Sequence, residues 1–62
     1  MIMKCVKFIG LDGKRYAISC TDYEIVENAE DDKRIYYIQN GNAFMVRFSI
    51  IVFRCDNYIP ET

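Results

Sequence analysis

Two dipeptides, Asp12-Gly13 and Asn40-Gly41, constrain this chain more than any other feature. Each joins a residue that tolerates a positive φ to a glycine, and each is flanked by segments rich in Ile, Val, Tyr and Phe, the local signature of a β-hairpin. Pairing register follows from asking which loop length keeps like side chains on one face. At the first turn, a two-residue loop pairs Ile9 with Tyr16 and sets Lys7 against Ile18. A three-residue loop with Gly13 in the left-handed position instead pairs Phe8 with Tyr16, Val6 with Ile18 and Lys7 with Ala17, and is the better register. It also sends Cys5 and Cys20 to opposite faces, which argues against a disulfide between them. At the second turn a two-residue loop sorts the faces best, pairing Tyr37 with Phe44, Ile35 with Val46 and Tyr36 with Met45.

Between the hairpins, Tyr23 to Glu27 reads as a short strand and Asn28 to Lys33 as an acidic turn. The fold class expected is mostly β: about five short antiparallel strands in two hairpins, forming a small sheet or an SH3-like barrel. The tail is a strand or a short helix. Ser49 could cap a helix, but the β-branched and aromatic residues Ile50, Ile51, Val52 and Phe53 favour a strand. Asp56, Asn57 and Pro60 are expected to end regular structure. No linker, repeat or low-complexity stretch divides residues 1–62, so a single domain is expected.

At 62 residues a domain buries only about 60% of the surface its unfolded chain exposes. A hydrophobic fraction of 52% exceeds what so small a core can hide, and it excludes a disordered chain. One row, Val6, Phe8, Tyr16, Ile18, Ile35, Tyr37, Phe44, Val46 and Phe48, is assigned to the core. A second set, Tyr36, Ile38 and Met45 with Ile51 and Phe53, is left over.

Lys and Arg number 8 against 9 Asp and Glu, a net charge of -1 that lacks the positive field of a duplex-DNA binder. The longest purely apolar run is four residues, far below the ~20 that span a bilayer, so no membrane association is expected. Cys5, Cys20 and Cys55 show no metal or redox spacing, and with no signal peptide ahead of them they read as reduced thiols of a cytoplasmic protein. The chain has no His, no phosphate-cradling glycine loop and no base to activate a cysteine. No enzymatic activity, cofactor or metal is therefore expected.

Leu11-Asp12-Gly13 followed by Tyr16 and Ile18, then Val26-Glu27, Ile35, and Asn40-Gly41 with Phe44, Val46 and Ser49, resemble the short flagellar FlbD-type (swarming-motility) proteins over about Val6 to Ser49. These are turn and core positions, so the resemblance implies a shared hairpin scaffold and, as an expectation, an accessory role in flagellar motility. The acidic turn is longer here, Phe48 replaces an acid, and the tail is more apolar than the family's amphipathic helix.

The reverse face of the second hairpin gathers Arg34, Tyr36, Ile38, Met45 and Arg47, and Arg, Tyr and Met are enriched at interface hot spots. Arg34 and Arg47 stand opposite each other, which is unfavourable unless a carboxylate lies between them. The acidic segment Glu27 to Asp32 of a second copy could supply one. The expected function is a non-enzymatic protein-interaction module, a homo-oligomeric regulator or inhibitor of a larger protein, of a kind a phage or mobile element could carry. The alternative is a β-barrel binding single-stranded nucleic acid, with Tyr36 or Tyr37 stacking on bases and Lys33, Arg34 and Arg47 along the backbone. Sequestration of a small ligand between subunits is a further possibility.

Overall fold

The computed structural model describes residues 2–59. Six strands follow one another: β1 (Met3–Ile9), β2 (Arg15–Cys20), β3 (Asp22–Ala29), β4 (Asp32–Gln39), β5 (Asn42–Arg47) and β6 (Ile50–Tyr58). They form two three-stranded antiparallel sheets, β2-β1-β6 and β3-β4-β5. The mostly-β expectation is met, with two sheets in place of one and without closure into a barrel.

Both hairpin registers follow from the turn chemistry. Phe8 pairs with Tyr16, Val6 with Ile18 and Lys7 with Ala17. The loop between them is closed by a hydrogen bond from the Gly10 amide to the Lys14 carbonyl, 2.8 Å, and another from Gly13 to Gly10, 3.0 Å. Gly13 has φ +80°, as the bulged three-residue loop requires. Asn40 and Gly41 have φ +53° and +78°, the paired positive values of a two-residue type I′ turn. Tyr37 accordingly faces Phe44, with ring centroids 5.3 Å apart, and Ile35 faces Val46.

The middle and the tail depart from expectation. The third strand is longer than Tyr23 to Glu27, and β3 turns into β4 through Glu30 and Asp31 alone, so most of the acidic segment is paired strand. The tail is a strand throughout, Ile50–Tyr58, which removes the helical alternative. Its β-branched start favours this, and β1, already paired with β2 on one side, offers its other edge. Asp56 and Asn57 do not end it: Asp56 accepts a hydrogen bond from the Tyr23 hydroxyl at 3.0 Å, and a register shift between Cys5 and Met3 absorbs the irregularity. Pro60 lies outside the described residues.

Only Thr21 separates β2 from β3, and only Phe48 and Ser49 separate β5 from β6, so the chain crosses between sheets at two sharp bends. The bends are fastened by backbone bonds from Thr21 to Ile38 (2.9 Å), Phe48 to Lys33 (3.2 Å) and Ser49 to Ile9 (2.8 Å). Side chains add Gln39 to the Ser19 carbonyl and Lys33 to the Ser49 carbonyl. The core between the sheets is Val6, Phe8, Ile18, Cys20, Ile35 and Phe48, with Tyr23, Ile25, Tyr37, Val46 and Ile51 packed around it. Tyr16 and Phe44, assigned to the core by periodicity, sit where the row runs past the facing sheet and are exposed. Ile51, assigned to the surplus, instead packs on the core, because the β6 register sets it beside Phe8.

Candidate interaction face

Successive residues of a strand point to opposite sides, so the residues of β3-β4-β5 that do not enter the core share the outer face. The registers arrange nine of them in three rows across the sheet: Asp22, Ile38 and Ala43; Glu24, Tyr36 and Met45; Val26, Arg34 and Arg47. All five residues expected to form a binding face, Arg34, Tyr36, Ile38, Met45 and Arg47, are thus brought together. Tyr36, Ile38 and Met45 are 40%, 42% and 46% exposed, which makes a contiguous apolar centre in place of a second covered layer. Asp22, Glu24 and Val26 complete the face. Their alternation with Tyr23 and Ile25 was available in the sequence as a period of two, but the partner strand of that segment was not.

Charge is ordered across this face. The acids Asp22 and Glu24 lie on the β3 edge, and the bases Arg34 and Arg47 lie at the diagonally opposite corner. The two arginines are cross-strand partners, as anticipated. The carboxylate that relieves them belongs to the same chain: Arg34 Nε donates to Asp32 Oδ1 at 2.8 Å, and Arg34 also donates to the Tyr36 hydroxyl at 3.2 Å. Asp32 is held below the usual carboxylate range by the Asn28 side-chain amide and by Arg34, with Arg47 adding to the effect. The acidic segment therefore supplies its own carboxylate in place of waiting for one from a second copy. Asp22 is held below the usual carboxylate range by Lys4, 3.2 Å away, and by the Tyr23 amide.

An open concavity of about 480 Å³ runs beside Asp22, Glu24, Tyr36, Ile38 and Phe44. Among the described residues no charged or polar side chain is buried, and no group of three or more Cys, Asp and Glu is gathered as metal ligands would be. The cysteines are free thiols; burial pushes the Cys20 thiol up, which lowers its reactivity. Among the described residues no helix is long and apolar enough to cross a membrane.

The fold and this face define a small two-sheet β module with an amphipathic outer surface. The chain matches no protein-family model, no curated protein and no solved structure, so the reading of the face rests on its own chemistry.

Proposed function

We propose that the protein is a non-enzymatic interaction module that self-associates through the outer face of β3-β4-β5 and, so assembled, regulates or inhibits a larger protein by covering part of it. The observation that supports this is the order of charge around the exposed apolar centre. Two copies laid face to face with strands crossed near 90°, one of the two preferred sheet packings, are related by a two-fold axis along the diagonal of the nine-residue grid. That operation sets Asp22 over Arg47 of the second copy, Glu24 over Arg34, Met45 over Ile38 and Tyr36 over Tyr36. Every charge meets its opposite and every apolar residue an apolar one. The aligned alternatives place Glu24 over Met45 or Arg34 over Ile38 and bury charges without partners, at a cost of several kcal/mol.

Light scattering coupled to size-exclusion chromatography tests the reading. Asp22→Arg sets cation over cation at the Arg47 position of the second copy, and Arg47→Glu sets acid over acid at the same place, so each variant alone is expected to dissociate at concentrations where the wild type associates. Mixed in equal amounts the two are expected to form a heterodimer. A wild type that stays monomeric at millimolar concentration, or variants and mixture that elute as the wild type does, would overturn it.

A further inference from the structure

The face of β2-β1-β6 turned away from the core carries a pair of thiols that the interaction face does not use. Cys5 on β1 and Cys55 on β6 are direct partners in the antiparallel register. Directly opposed residues of such a pair lie about 4.5 or 5.5 Å apart at Cα, according to whether the site is hydrogen-bonded, and both spacings fall within the span a disulfide bridges. Cys5 is 6% exposed, while Cys55 is only half-buried and is open to a small reagent. Cys20 is excluded from this chemistry. It sits in the core on the opposite side of the sheet, since it is paired with Lys4 where Cys5 is paired with Ser19.

We propose that Cys5 and Cys55 are a site of reversible oxidation that closes a cross-strand disulfide between β1 and β6 on reaction with a small-molecule disulfide such as oxidised glutathione. The Cys55 thiolate attacks one glutathione sulfur, forming the mixed disulfide and expelling a glutathione thiolate. Cys5 then attacks the Cys55 sulfur and expels the second glutathione, whose departing sulfur takes up the Cys5 proton. Two protein thiols are oxidised, one glutathione disulfide is reduced to two glutathiones, and the released protons pass to water and to the leaving thiolates. The bond closes a loop of about 50 residues and fixes the last strand to the first, so it restricts the unfolded chain strongly.

Native protein equilibrated with excess glutathione disulfide, quenched in acid, then denatured and alkylated, reports the outcome by intact mass and peptide mapping. Expected are a loss of about 2 Da against the reduced chain, one alkylated thiol, at Cys20, a linked peptide pair containing Cys5 and Cys55, and a rise in Tm of about 10 °C or more. Cys55→Ser and Cys5→Ser are each expected to abolish the internal link while keeping the reduced protein's β-type circular dichroism. Three alkylatable thiols, stable glutathione adducts without loop closure, a link involving Cys20, or a Cys55-linked dimer on a non-reducing gel would each overturn the assignment.

Discussion

Phe44 and Phe48 lie four residues apart in one period-two row, yet their replacement by alanine is expected to cost very different amounts. Phe48 is 2% exposed, at the bend where the chain passes from β5 to β6, with its ring edge-on to Phe8 at a centroid distance of 6.4 Å. Removing it leaves a cavity between two sheets whose crossover bends are fastened by backbone bonds, and a buried Phe→Ala change of this kind costs about 3–5 kcal/mol. A 62-residue chain has roughly 3–9 kcal/mol in all, so Phe48→Ala is expected to be largely unfolded at 25 °C. Phe44 is 43% exposed and stacks on Tyr37. Its truncation gives up about half the transfer free energy and part of one aromatic contact and encloses no void, about 1–2 kcal/mol. Because Phe48→Ala is expected not to yield a measurable baseline, Phe48→Leu carries the quantitative comparison, at about 1 kcal/mol or slightly more. Urea unfolding followed by circular dichroism at micromolar concentration gives the Phe44→Ala and Phe48→Leu values and shows whether Phe48→Ala folds at all. Equal costs for Phe44→Ala and Phe48→Ala would refute the placement of the core between the sheets.

Further tests follow from the turns and their hydrogen bonds. An added Cβ at Gly41 meets nothing within 4 Å, so the cost of Gly41→Ala comes from its φ of +78° alone, about 1–2 kcal/mol, visible as a lower urea midpoint with an unchanged slope. The Tyr16 hydroxyl donates to Asp12 Oδ2 at 2.6 Å and the Lys14 amide to Oδ1 at 3.0 Å; the hydroxyl first and the amide second hold the Asp12 carboxyl below its usual range. The stabilisation this gives is complete above the unfolded value of about 3.9 and is lost as pH falls through the lowered folded value. Tyr16→Phe is therefore expected to flatten the acid limb of stability between pH 5 and pH 2, and parallel limbs in the two proteins would count against it.

What could be read from the sequence divides along the range of the interactions. The registers of β1 with β2 and β4 with β5 are local: Gly13 and the Asn40-Gly41 pair set loop length, and loop length decides which side chains share a face. The five outward residues on β4 and β5 follow from that register alone. Contacts across the chain were not legible. Nothing near Ile50 states that β1 has a free edge to receive it, so Ile51 could not be assigned to the core, nor Cys55 set opposite Cys5. Burial at the ends of rows was hidden for the same reason. Tyr16 and Phe44 keep the alternation of Ile18 and Val46, but whether a residue lies beneath the facing sheet depends on how far that sheet extends. The arginine pair shows the converse. Its need for a carboxylate was readable, whereas the local supply from Asp32, two residues before Arg34, depends on β4 beginning at Asp32.

The two outer faces differ in what they can meet. On the β2-β1-β6 side the registers give rows of Ile9, Arg15 and Ile50, then Lys7, Ala17 and Phe53, then Cys5, Ser19 and Cys55. Ile50 and Phe53 are exposed, so this face is apolar too, but among these nine residues the charges are Lys7 and Arg15, both positive. The Lys7 ammonium lies 5.7 Å from the centre of the Phe53 ring, so positive charge spreads over the apolar surface. A second copy of the same face would bring cation against cation in every orientation, and like charges brought together in an interface cost several kcal/mol. The proposed self-association is therefore expected through β3-β4-β5, whose charges are of both signs and diagonally placed. Lys7→Glu is expected to leave the dimerisation constant within twofold of the wild-type value in sedimentation equilibrium, where Arg47→Glu weakens it by tenfold or more. If Lys7→Glu instead changes the constant as much as Arg47→Glu does, the copies meet through β2-β1-β6 and the diagonal arrangement of the other sheet is not what holds them together.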